Sequence, residues 1–138
     1  MIKDEDENRV ENKIKVDPFQ LEVIHELESA LGVSIHETAD IDNKIFDYAT
    51  QYAGYKTDNL GNIIKFHISL CAVKSEHLSI IKKLTKLTSL DLSENQITKI
   101  EGLDKLEILI FSNNKITKIE GLEYLTNLNV LFLDDNQI

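Results

Sequence analysis

Few residues of this 138-residue chain have the types and spacing that chemistry demands. His67 and Asp91 are the best pair. They hold equivalent positions in two adjacent sequence repeats, so stacked strands set an imidazole beside a carboxylate, the oriented half of a general base. No Ser or Cys nucleophile completes an evident triad with them, and the expectation is a surface ion pair of small energetic value. Glu94, Asp134 and Asp135 form an acidic rim able to attract a cation, but no EF-hand or comparable ligand loop accompanies them, so no metal is expected. His25 on a helix, and His36 and His77 in connecting segments, lack zinc-ligand spacing. Gly54, Gly61, Gly102 and Gly121 are turn glycines and make no phosphate-binding loop. Cys71 is the single cysteine, which excludes an intrachain disulfide and a cysteine metal cluster. The expectation is a chain that is not an enzyme and takes no cofactor.

The elements that must position these residues are repeats. Residues 87–97 (LTSLDLSENQI), 106–116 (LEILIFSNNKI) and 128–138 (LNVLFLDDNQI) share apolar residues at positions one, four, six and eleven and Asn at position nine. Aligning Ile63, Phe66, Ile68 and Val73 with the four apolar positions adds a divergent first copy, which puts Cys71 where the others carry Asn95, Asn114 and Asn136. Terminal repeats commonly diverge because they cap a stack. The spacing from Asn95 to Asn114 is 19 residues, against 22 from Asn114 to Asn136. The shorter step lacks an equivalent of Thr126-Asn127-Leu128. Three residues are one turn of a helix with about three residues per turn, so the apolar phase survives the loss. The returning segments are read as short turns with Leu or Ile inward at every third position.

Side chains alternate across a strand, so positions four and six point to one face and three, five and seven to the other. Parallel strands stacked at about 4.8 Å bury the first face against the returning turns and leave the second open. Position nine falls where the chain leaves the strand and turns inward. A buried Asn there must satisfy both its amide donors and its carbonyl, which stacked Asn side chains do by bonding the backbone of their own and neighbouring turns. Cys71, Asn95, Asn114 and Asn136 are therefore read as a structural ladder.

On the open face, position three holds Lys65, Ser89, Ile108 and Val130; position five His67, Asp91, Ile110 and Phe132; position seven Ser69, Ser93, Ser112 and Asp134. The first two repeats are polar there and the last two apolar. Ile108, Ile110, Val130 and Phe132 form a contiguous patch, a mark of a protein-binding site. With Asp91 and Asp134 as acidic flanks, these six residues are the expected partner-binding set.

Before the repeats, residues 1–16 are charged and without apolar periodicity, and are read as a disordered lead-in. Residues 17–62 are read as a helical N-terminal cap region. Asp17 is the expected N-cap, Pro18 the first helical residue and Gln20 the other half of a capping-box-like pair. Phe19, Val23, Leu27, Ala30 and Leu31 form the expected apolar stripe, with Leu21 and Ile24 flanking, and Gly32 ends the helix. A short second helix is expected within 33–53, on the spacing of Ile41, Ile45, Tyr48, Ala49 and Tyr52. Tyr55 to Asp58 and Gly61 then predict a hairpin whose second arm is the first repeat strand.

At this point the segment 63–138 resembles the leucine-rich repeat family. Its IEGL motifs, at residues 100–103 and 119–122, are similar to the 22-residue subclass found in a regulatory subunit of protein phosphatase 1 and in bacterial internalins. The resemblance implies an α/β fold: a right-handed leucine-rich repeat solenoid with a parallel concave β-sheet, a short 3-10 or irregular convex side and an N-terminal helical plus hairpin cap. It also implies use in protein recognition. The 19-residue repeat and the stop at position eleven of the last copy depart from the pattern. That last copy leaves an open strand edge, which implies either a longer parent protein or self-association.

Composition narrows the function. A net charge of −9 and a pI near 4.8 disfavour nucleic acid and anionic membrane as partners. The basic residues between 61 and 86, Lys65, Lys74, Lys82, Lys83 and Lys86, are read as a solvated face. The polar, acidic N-terminus is unlike a secretory signal, and no run reaches a membrane span of about 20 apolar residues. The expectation is a cytoplasmic, non-enzymatic protein-interaction module binding a protein partner across its concave sheet. The alternative is the regulatory N-terminal part of a larger signalling enzyme such as a GTPase, kinase or phosphatase complex.

Overall fold

A computed structural model describes residues 15–38 and 52–138. Residues 1–14 of the expected lead-in, and Ile41, Ile45, Tyr48 and Ala49 of the expected second helix, lie outside the described residues.

The described chain begins with α1 (Pro18–Leu31) and continues through β1 (His36–Glu37), β2 (Tyr52–Thr57) and β3 (Ile63–Ser69). A 3-10 turn (Ser75–His77) and the single-turn α2 (Leu78–Ile81) carry it to β4 (Ser89–Asp91) and β5 (Ile108–Ile110). A second 3-10 turn (Leu122–Tyr124) then precedes β6 (Val130–Phe132). The strands form one sheet in chain order. All neighbours are parallel except β2 and β3, which form an antiparallel hairpin. The repeat frame is matched residue for residue: Phe66 pairs with Leu90, Leu90 with Leu109 and Leu109 with Leu131.

Positions four and six of the first three copies, Phe66 and Ile68, Leu90 and Leu92, Leu109 and Phe111, are fully buried. Each removes a large apolar side chain from water, worth about 1.5–3 kcal/mol. In the last copy Leu131 and Leu133 are only partly buried, because a coil of a solenoid is covered on each side by its neighbour and β6 has a described strand on one side alone.

The N-terminal helix departs from the expected stripe. Asp17 accepts a hydrogen bond from the Gln20 amide at 3.1 Å, and Gly32 ends the helix in the left-handed conformation. The Gln20 side chain does not return to Asp17. Its Oε1 accepts from the Ile63 amide at 2.7 Å and its Nε2 donates to Asn62 Oδ1 at 3.2 Å. That tie to the hairpin turns the helix so that Gln20, Val23, Ile24 and Leu27 face inward, while Phe19 is 59% exposed and Ala30 faces solvent. A hydropathy pattern misplaces this face because its first member is polar.

The described ends of the segment 33–53 are extended, not helical: His36–Glu37 is β1, and Tyr52, expected on a helix, opens β2 opposite Ser69. The sheet ladder satisfies backbone groups there and overrides the helical spacing of the apolar residues. The β2–β3 turn is closed by Asp58, which accepts from the amides of Leu60 (2.8 Å) and Asn62 (3.0 Å) and from Asn62 Nδ2 (3.0 Å). These donors hold the Asp58 carboxyl below its ordinary range, the Asn62 side chain first among them.

Candidate functional site

The face opposite the core is built by positions three, five and seven. Their columns align across strands: Lys65, Ser89, Ile108 and Val130 in one; His67, Asp91, Ile110 and Phe132 in the next. The two ends of this face differ.

At the first two copies positions five and seven are closed, His67, Ser69, Asp91 and Ser93 all being buried, while Lys65 and Ser89 at position three are partly exposed. His67 is 5% and Asp91 7% exposed, so the expected surface pair is a buried one, with His67 Nδ1 and Asp91 Oδ2 3.3 Å apart. Tyr52 of β2 sets its ring edge-on to His67, centroids 4.8 Å apart at 86°. Asp91 Oδ1 accepts from the Ser93 amide at 3.0 Å and from Ser93 Oγ at 2.6 Å. Ser93 thus donates to the carboxylate and not to the imidazole, so the three do not form a nucleophile–base relay. The Asp91 carboxylate is spent on internal partners and gives little to a second molecule.

At the last two copies the face is open. Ile108, Ile110 and Val130 are partly exposed and Phe132 is 50% exposed. Ile108 pairs with Val130 and Ile110 with Phe132, so the four side chains are contiguous. Beyond them Asp134, exposed, accepts from Ser112 Oγ at 2.5 Å.

The position-nine residues sit beneath the strand exits. Asn95 Oδ1 accepts from the amides of Cys71 (3.3 Å) and Val73 (3.1 Å), and its Nδ2 donates to Ile68, Leu92 and Ser93 carbonyls. Asn114 and Asn136 repeat the pattern one and two coils on. Cys71 replaces the amide with a thiol that donates to the Ser69 carbonyl at 3.1 Å. The neighbour before it, β2, is antiparallel and has no parallel turn for an Asn carbonyl to serve.

Two features went unread in the sequence. Position eight is left-handed in every copy: Leu70, Glu94, Asn113 and Asp135 have φ of 54°, 57°, 54° and 53°. Asn and Asp tolerate this region, so Asn113 and Asp135 were a usable signal; for Leu70 and Glu94 it costs about 1–2 kcal/mol. The conformation points the amide at the following coil: Glu94 N–H donates to Ser112 O and Asn113 N–H to Asp134 O, both at 3.0 Å. The second feature is a groove of about 880 Å³ on the convex side, between the returns of the second and third coils. The second return is the short one and lacks the 3-10 turn that lifts Leu122–Tyr124. The groove's rim mixes Lys99, Glu101, Lys118 and Glu120, with no convergence of one charge.

Among the described residues no group of three or more His, Cys, Asp or Glu could hold a metal ion, and no helix is long and apolar enough to cross a membrane.

The family described as leucine-rich repeats, in two copies, matches residues 104–138. The structure is similar, at a TM-score of 0.48 and 18% identity, to the leucine-rich repeat ectodomain of the receptor kinase SOBIR1 from Arabidopsis thaliana, covering 89% of this chain and 70% of that one. No curated protein matches. The match to leucine-rich repeats is thus confined to residues 104–138, and the described chain as a whole is an α/β stack of coils around one sheet. Such arrays serve generally as protein-interaction modules.

Proposed function

We propose that this chain is a non-enzymatic, cytoplasmic module that binds a protein partner on the concave face of its third and fourth coils. Ile108, Ile110, Val130 and Phe132 are the apolar anchors, and Asp134 is an acidic flank that favours a basic side chain on the partner. The observation that carries this reading is the contrast along one face: apolar and open at β5–β6, polar and internally bonded at β3–β4. Clustered exposed apolar side chains rimmed by polar ones are a recurrent feature of recognition surfaces. Asp91, whose carboxylate is engaged by His67 and Ser93, is left out of the anchor set.

The test is affinity capture from extract of the source cells with four baits: wild type, Ile110→Lys, Phe132→Lys, and Tyr124→Lys on the convex side. A protein retained by wild type and Tyr124→Lys and lost with both concave variants supports the reading. Equal retention by all four refutes it.

A further inference from the structure

We propose that the convex groove between the second and third returns takes the C-terminal carboxylate of a peptide whose last residue is apolar. The second coil shows what the turn at this level holds. There the amides of Thr98 (3.0 Å) and Lys99 (3.2 Å) donate to Ser75 Oγ of the first coil, and the Thr98 hydroxyl lies 3.0 Å from the same oxygen. The third coil repeats the donors without the oxygen. Thr117 and Lys118 align with Thr98 and Lys99, and the residue that stands where Ser75 stands is Lys99, whose ammonium donates and cannot accept. The coils keep one orientation, since the amides just before these turns all point back one coil: Gln96 to Val73 O, Lys115 to Ile97 O and Gln137 to Ile116 O. Among the described residues nothing accepts from the Thr117 or Lys118 amide.

Thr117, Lys118 and Lys99 all line the groove. Main-chain N–H groups set side by side make a cradle for an anion, and Lys99 adds a positive charge to the same cavity. Both walls belong to described coils, so the site is independent of the edge of β6. The surroundings choose the anion. Glu101, Asp104 and Glu120 offset Lys99 and Lys118, which opposes a doubly charged phosphate more than a single charge. Leu103 and Leu125 give the groove an apolar floor, with the exposed Tyr124 ring beside them. Its volume of about 880 Å³ exceeds what one anion fills and lies within the range of about 300–1,000 Å³ that suits a larger ligand. A carboxylate joined to an apolar side chain uses both the donors and the floor. A peptide C-terminus is such a group, and backbone cradles are a recurrent means of holding it.

Proton–nitrogen correlation spectra of the 138-residue chain, titrated with acetyl-Gly-Leu as the free acid, are expected to show saturable shifts at the Thr117 and Lys118 amides. The Thr98 and Lys99 amides, already bonded to Ser75, are expected to stay in place. The C-terminally amidated compound, acetate and inorganic phosphate are each expected to bind about tenfold more weakly or worse. Thr117→Val, which removes the hydroxyl donor, is expected to weaken the free acid about tenfold. Lys99→Ser supplies the oxygen that Ser75 supplies one coil earlier, and is expected to abolish binding without lowering the melting temperature. Ile110→Lys is expected to leave binding unchanged, which separates this site from partner capture on the concave face. No saturable shift at Thr117 and Lys118, or an equal response to any of the three comparison compounds, overturns the proposal. So does undiminished binding by Lys99→Ser.

Discussion

The Asn114 side chain reaches back 22 residues to donate to the Leu92 carbonyl at 2.9 Å. The same side chain accepts from the Ile97 amide at 3.0 Å and donates to Phe111 O, so it joins the second coil to the third. Replacing it by Ala strands buried backbone groups in two coils. Asn114→Ala is expected to cost about 2–4 kcal/mol, read as a lower denaturant midpoint. Asn136→Ala, partly exposed in the last coil, is expected to cost less.

Gly121 and Gly102 both have positive φ but differ in surroundings. A Cβ on Gly121 meets the Ile100 carbonyl oxygen at 2.7 Å, whereas one on Gly102 meets the flexible Lys82 side chain at 3.3 Å. Gly102→Ala should therefore show the left-handed penalty alone, about 1–2 kcal/mol. Gly121→Ala should exceed it, because the second coil's backbone must move. Equal losses in thermal melting would contradict the close packing of the two returns.

The concave anchors are outside the core, so polar substitution should spare the fold. Ile110→Lys and Phe132→Lys are each expected to change stability by no more than about 1 kcal/mol. Leu109→Lys, one residue from Ile110 but fully buried, is expected to abolish the cooperative transition. Circular dichroism melts of the three variants check this.

Asp58 gives the hairpin a pH dependence. Its folded pKa is lowered by hydrogen bonds from Asn62 and Leu60, so its contribution is present above the ordinary carboxylate value of about 3.9. It is lost as pH falls through the lower folded value. Wild type and Asp58→Ala are expected to differ in melting temperature at neutral pH and to converge in strong acid.

The Cys71 thiol is buried and donates to the Ser69 carbonyl. It is expected to resist thiol reagents in the native state and to react at the rate of unfolding. Rapid labelling of folded protein would show that the first coil opens locally.

The repeat frame was legible because period and face are local properties of sequence. Pairing of Leu90 with Leu109 and of Ile108 with Val130 follows from aligning the copies. The capping of α1 by Asp17 and Gly32 was legible for the same reason. The inward turn of Gln20 was not, since its partners Asn62 and Ile63 lie more than forty residues away. His67 and Asp91 were correctly set side by side but wrongly placed at the surface. Burial depends on what covers a residue, and here Tyr52 of β2 and Ser93 lie against the pair.

The sequence by itself determined the coil: its apolar positions, its asparagines and the columns of the concave face, all fixed by periodicity. The tertiary structure decided which part of that face is closed and which is open. It also decided where the short second return leaves a groove and that β6 ends the described sheet. Those outcomes depend on neighbours brought together from distant parts of the chain, and no local pattern encodes which neighbour covers a given side chain.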